Sequence, residues 1–175
     1  MSRISSVLRH RKADSVSRGR PIAVAAAAAA LVAILGGAMT DIGPWYQALE
    51  KSSLTPPDWA FGPAWTVIYA FAAMAAVLGW RAAQSNRARA LLVSLFFINA
   101  VLNILWSFFF FTLRRPDWAL AEVATLWVSV LALITALWPL RREAALCLSP
   151  YLVWVGFAAY LNYRVVALNV PFGSS

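Results

Sequence analysis

Charge is scarce in this chain: Asp, Glu, Lys and Arg make up 13% of its 175 residues, about half of what a soluble surface uses. The deficit excludes an ordinary water-soluble globule. One cysteine, Cys147, and one histidine, His10, exclude an internal disulfide and any Cys- or His-based metal site within one chain. Acidic residues are the scarcer charged class, seven against fifteen basic ones for a net charge of +8, and such a balance raises nucleic acid as a partner. The positions answer otherwise. Arg3, Arg9, Arg11, Lys12, Arg18 and Arg20 precede the first apolar run, and most of the others pair up between later runs, as basic loops at a membrane surface do. No nucleic-acid partner is expected.

What abounds is apolar: 62% of the residues, against a globular share of about 45–50%. A helix that crosses a bilayer needs about 20 mainly apolar residues, and the chain supplies such runs over 21–39, 61–80, 90–112, 118–139 and 144–168. The expected fold is therefore an all-α membrane protein, a bundle of five transmembrane helices over 21–169. A basic tail, 1–20, is expected to be disordered, and a short C-terminal tail covers 170–175. Pro21 and Pro63 lie near helix starts, where a missing amide proton costs little. Pro150 lies inside the fifth span and predicts a kink that frees the carbonyl of Leu146.

Basic residues set the orientation. The tail, the second loop (Arg81, Arg87, Arg89) and the fourth loop (Arg141, Arg142) lie on one side; Lys51, Arg114 and Arg115 lie on the other, joined by Arg164 if it snorkels outward. The N-terminus is thus expected in the cytoplasm and the first loop, 40–60, on the far side. A rival reading makes the first run a secretory signal with a cleavage site near Gly36 and Ala38, but the run and the charged segment before it are both long for that role.

Nine tryptophans divide by position. Trp45, Trp80, Trp118 and Trp138 fall near span ends, as an interfacial aromatic belt does. Trp65, Trp106, Trp127 and Trp154 fall inside spans, where an indole N–H needs a partner, and are candidates for lining a pocket. Asn99, Asn103 and Trp106 share one helix face, which must turn inward because an amide in lipid is costly. Trp65 and Tyr69, and likewise Trp154, Ala158 and Leu161, set large rings beside smaller side chains, which suits a flat guest or plain helix packing. Glu122 and Arg164 are the ionisable groups within spans, both close enough to an end to snorkel. The first loop carries Trp45, Tyr46, Pro56, Pro57 and Trp59 and reads as a stiffened lid.

The segment Trp45-Tyr46-Gln47-Ala48-Leu49-Glu50-Lys51, followed by Pro56-Pro57-Asp58-Trp59-Ala60-Phe61-Gly62-Pro63-Ala64-Trp65 and Tyr69, resembles the signature of the TspO/translocator family, the tryptophan-rich sensory proteins and peripheral-type benzodiazepine receptors. Asn103 to Phe111, Trp118 to Glu122, Pro150 to Trp154, and Leu161-Asn162-Tyr163 with Asn169 match further motifs in order. The resemblance implies a membrane protein, often a homodimer, whose pocket under the first loop takes porphyrins such as protoporphyrin IX or haem, sterols and benzodiazepine-site ligands, with no resident cofactor. It assigns ligand binding to Trp65, Trp154, Asn103, Trp106, Trp118, Ala158 and Leu161, beside Tyr69; Trp65 and Trp154 would act if porphyrin is degraded in light. Sensor or carrier in porphyrin and stress regulation, porphyrin-degrading enzyme and transporter are the roles it implies. The chain departs from the family at Ser52 and Leu54, where a Pro and a Trp are common, and at Ala167, where a basic residue belongs to the sterol segment; a sterol-type pattern, Val155, Tyr160 and Arg164, is out of register. Helical spans with this charge bias point to the inner membrane, whereas the family analogy also allows the outer one.

Overall fold

The computed structural model describes residues 2–169 and Phe172, with side chains from Gly19 onward. Helix α1 covers Ser2–Met39, α2 Pro44–Ala48, α3 Phe61–Ala82, α4 Asn86–Ser107, α5 Pro116–Leu137, α6 Arg142–Leu146 and α7 Ser149–Asn169. Among the described residues five helical segments are long and apolar enough to cross a bilayer, Gly19–Met39, Asp58–Ala82, Asn86–Thr112, Pro116–Leu137 and Arg142–Asn169, in the order the hydropathy gives. Met1 and, apart from Phe172, the C-terminal tail expected over 170–175 lie outside the described residues.

The backbone of α1 is helical from Ser2. One expectation differs: Pro150 does not kink a continuous fifth helix. The chain breaks after Leu146, the Leu148 N–H donates to the Ala145 carbonyl at 3.0 Å, and Pro150 becomes the second residue of α7, where no N–H is required of it.

Helix α5 organises the packing. Val123, Leu126, Val130, Leu133 and Leu137 recur at alternating three- and four-residue steps and are all buried, so one stripe of α5 faces the interior. Both α4 and α7 pack against α5, α1 leans on α3 and α4, and α3 touches α7, which closes the ring in the order α1, α3, α7, α5, α4. At the loop end a second apolar cluster gathers Tyr46, Phe110, Phe111, Ala119 and Val165. Its phenylalanines come from Phe108–Thr112, a π-helical turn that ends α4. The Leu113 N–H donates to the Phe108 carbonyl and the Arg115 N–H to the Phe109 carbonyl, each at 2.9 Å, with Arg114 between them at φ 53°, the left-handed conformation such a helix ending requires.

Candidate functional site

Between α1, α3, α4 and α7, beneath the first loop, lies a cavity of about 710 Å³, within the roughly 300–1,000 Å³ of small-molecule sites. α3 contributes Phe61, Trp65 and Tyr69; α4 contributes Asn103, Trp106 and Ser107; α7 contributes Trp154, Ala158, Leu161 and Asn162. α1 contributes only small side chains along this wall, among them Ala26, Ala33, Gly36 and Gly37. Of the stripe expected on α4, Asn99 and Asn103 are buried and Trp106 lines the cavity; Ser107, one turn beyond Asn103, is buried with them.

The sequence-expected pocket residues Trp65, Tyr69, Asn103, Trp106, Trp154, Ala158 and Leu161 all line the cavity. Trp118 does not. It is 49% exposed, because the buried Ala119–Val123 side of α5 leaves position 118 outside; its ring meets Phe109 at 6.2 Å and the Arg115 guanidinium at 4.4 Å. Trp127 also misses the cavity and packs beside Gly156 on α7. Of the expected lid residues, Trp45 rests edge-on against Phe110 at 6.1 Å, Trp59 is 75% exposed, and neither these two nor Pro56 and Pro57 line the cavity. The roof comes instead from Tyr46, Lys51, Thr55 and Asp58.

Rings form one wall. Trp65 stacks on Tyr69, centroids 5.3 Å apart at 25°, and meets Trp154 edge-on at 6.4 Å, while Phe61 meets Trp154 at 6.0 Å. The indole N–H of Trp106 is spent on Asn162 Oδ1 at 3.2 Å. Those of Trp65 and Trp154 have no partner among the described residues.

Behind that wall runs a single-direction chain of hydrogen bonds. The Tyr69 hydroxyl donates to Asn103 Oδ1 at 2.7 Å, Asn103 Nδ2 to the Tyr151 oxygen at 3.1 Å, the Tyr151 hydroxyl to Asn99 Oδ1 at 3.2 Å, and Asn99 Nδ2 to Ser129 Oγ at 2.8 Å. The Ser129 hydroxyl is committed to the Leu126 carbonyl at 2.7 Å, so every amide in the series has one favoured orientation. The asparagines therefore both bind four helices together and fix the polarity of the cavity wall.

The loop is held shut. The Glu50 N–H donates to Asn169 Oδ1 at 2.9 Å, and Asn169 Nδ2 returns a bond to the Glu50 carbonyl at 2.8 Å. Gln47 Nε2 donates to Asp58 Oδ2 at 2.9 Å, and Lys51 Nζ sits 4.4 Å over the Tyr46 ring. Burial, reinforced by the Asp58 carboxylate, raises the Tyr46 hydroxyl above the ordinary tyrosine value, which keeps it neutral under the roof at physiological pH.

Both Glu122 carboxylate oxygens are buried without a hydrogen-bond partner among the described residues, as is Arg164 Nε. Val155 is buried whereas Tyr160 is 41% exposed, so the sterol-type pattern offers no single surface. Sequence reasoning missed Tyr151, Ser107, Ser129 and Gly36. Their signal was weak: Ser107 merely extends the Asn99, Asn103 register by one turn, and the others act across helices far apart in the chain.

The profile of the TspO/MBR family matches residues 23–168. The tryptophan-rich protein TspO of Chlorobaculum tepidum is 38% identical over 129 residues, covering 71% of this chain and 79% of that one. The human translocator protein is 32% identical over 122 residues, 69% of this chain and 72% of its own, and protein CrtK of Rhodobacter capsulatus is 32% identical over 133 residues, 76% and 83% respectively.

Proposed function

Since the chain belongs to the TspO/MBR family and is an integral membrane protein of five helices, we propose that it binds a tetrapyrrole between α1, α3, α4 and α7 and acts as a sensor or carrier of that ligand. The observation that carries this reading is the aromatic wall: Trp65, Tyr69 and Trp154 face a cavity of about 710 Å³ with two indole N–H groups free to donate. A flat, apolar, carboxylated macrocycle suits it, with its face against the rings and its edges within reach of donors. Lys51, which lines the roof, supplies the cation for an acidic edge. The test is quenching of intrinsic tryptophan fluorescence on titrating protoporphyrin IX into the protein in detergent. Saturable quenching is expected, weakened about tenfold or more when Trp65 and Trp154 are both changed to Phe, as loss of two donors and ring area requires. Unchanged quenching in that variant rejects the assignment.

A second reading has its own support. The stacking of Trp65 on Tyr69 and the edge contact with Trp154 place oxidisable rings in series beside the guest, the arrangement that light- and oxygen-dependent porphyrin breakdown needs. Illumination of the complex under oxygen would then yield a discrete product in wild type and only bleaching in Trp65→Phe. The same family reading supports a homodimer, which chemical cross-linking in native membranes tests through a band at twice the chain mass.

A further inference from the structure

Beside the ring wall, the cavity has a polar corner. Gly36 of α1 faces it, and a Cβ placed there would lie 3.9 Å from both Tyr69 Oη and Ser107 Oγ, so the glycine leaves open space next to two hydroxyls. Ser107 is 7% exposed, lines the cavity and has no hydrogen-bond partner among the described residues. Its hydroxyl opens on the cavity and is free to pair with what occupies it. Tyr69 is different: its proton is spent on Asn103 Oδ1, and the chain that ends at Ser129 and the Leu126 carbonyl holds it there. Its oxygen can therefore only accept.

The geometry points to a subsite that recognises a hydrogen-bond donor and an acceptor set side by side on the guest, with Tyr69 Oη taking the donor and Ser107 Oγ–H supplying the acceptor's bond. The chemical class is a flat ring system edged by a lactam, a cis-amide or a protonated carboxyl group. Ser129, on a helix that contributes nothing to the cavity wall, is a positioning residue, because it sets the direction of the chain that makes Tyr69 an acceptor. This rests on the reading that the cavity holds a flat guest, and it specifies which edge that guest must present.

The test compares phenanthridinone, a planar tricyclic lactam, with its N-methyl derivative, which keeps the carbonyl and loses the donor. Binding is followed by fluorescence with the full chain in lipid nanodiscs. Wild type should favour the N–H compound about tenfold, the worth of one buried hydrogen bond with its orphan penalty. Tyr69→Phe should bring the ratio close to one, and Ser129→Ala should narrow it; Ser107→Ala should weaken both compounds alike and leave the ratio standing. Equal affinity of wild type for the two lactams overturns the subsite, and so does a preference that survives Tyr69→Phe, which would be a steric effect of the methyl group. Protoporphyrin quenching in the same preparations is read separately: its absence from wild type rejects the tetrapyrrole reading, whatever the lactam ratio.

Discussion

Asn162 ties three helices with one carboxamide. Its Nδ2 donates to the Pro116 carbonyl at 2.8 Å, the first turn of α5, and its Oδ1 takes the Trp106 indole proton from α4, while the residue itself is 2% exposed. Truncation to alanine orphans a carbonyl and an indole N–H in a medium without water. Asn162→Ala should therefore cost roughly 2–4 kcal/mol, seen as a drop in thermal midpoint in detergent together with a shift of tryptophan emission. At this scale the sequence was readable in part. Asn99 and Asn103 could be placed on an inward face from spacing alone, because an amide has no other tolerable place in a bilayer. What they bond to could not, since Tyr151 and Ser129 lie 52 and 30 positions from Asn99 and no local pattern links them.

The helices record a different kind of information. Gly79 of α3 faces Leu137 and Leu92: a Cβ there would overlap Leu137 Cδ2 and sit 3.3 Å from Leu92 Cδ1. Both leucines are buried, so the glycine sets how closely α3 approaches α4 and α5 at this end. Gly79→Ala should cost about 1–3 kcal/mol by overpacking, and Leu137→Ala in the same chain should return part of that loss, a coupling that unfolding of the two singles and the double measures. The first loop behaves as a clasped element. Removing the reciprocal bonds between Asn169 and Glu50 by Asn169→Ala should speed both arrival and departure of protoporphyrin in stopped-flow quenching, with a smaller change in affinity; unchanged rates would mean that the clasp does not gate entry. Hydropathy located α3 and α5 to within two residues of their observed ends. It could not show the break at Cys147 and Leu148, because that stretch is as apolar as its flanks, nor that Trp118 points outward, which depends on the rotation of α5 about its axis.

The whole molecule carries paired rims. At one end the Arg89 guanidinium lies 5.1 Å over Trp80 and that of Arg142 lies 5.7 Å over Trp138; at the other, Arg114 lies 5.7 Å over Trp45 and Arg115 lies 4.4 Å over Trp118. The four tryptophans that the sequence placed in an aromatic belt are thus each covered by an arginine, a pairing suited to the headgroup zone. The orientation expected from the excess of basic residues on the N-terminal side predicts that protease added to intact spheroplasts cuts the first loop and spares the loop holding Arg87 and Arg89. The reverse pattern would invert the orientation.

Helix α1 gives the cavity a wall with almost no side-chain reach, alanine and glycine along the whole of it, and α1 leans on α3, on α4 and on the π-helical turn Phe108–Thr112. On that side the width of the chamber is accordingly set by where the α1 backbone stands, since no long side chain projects from it.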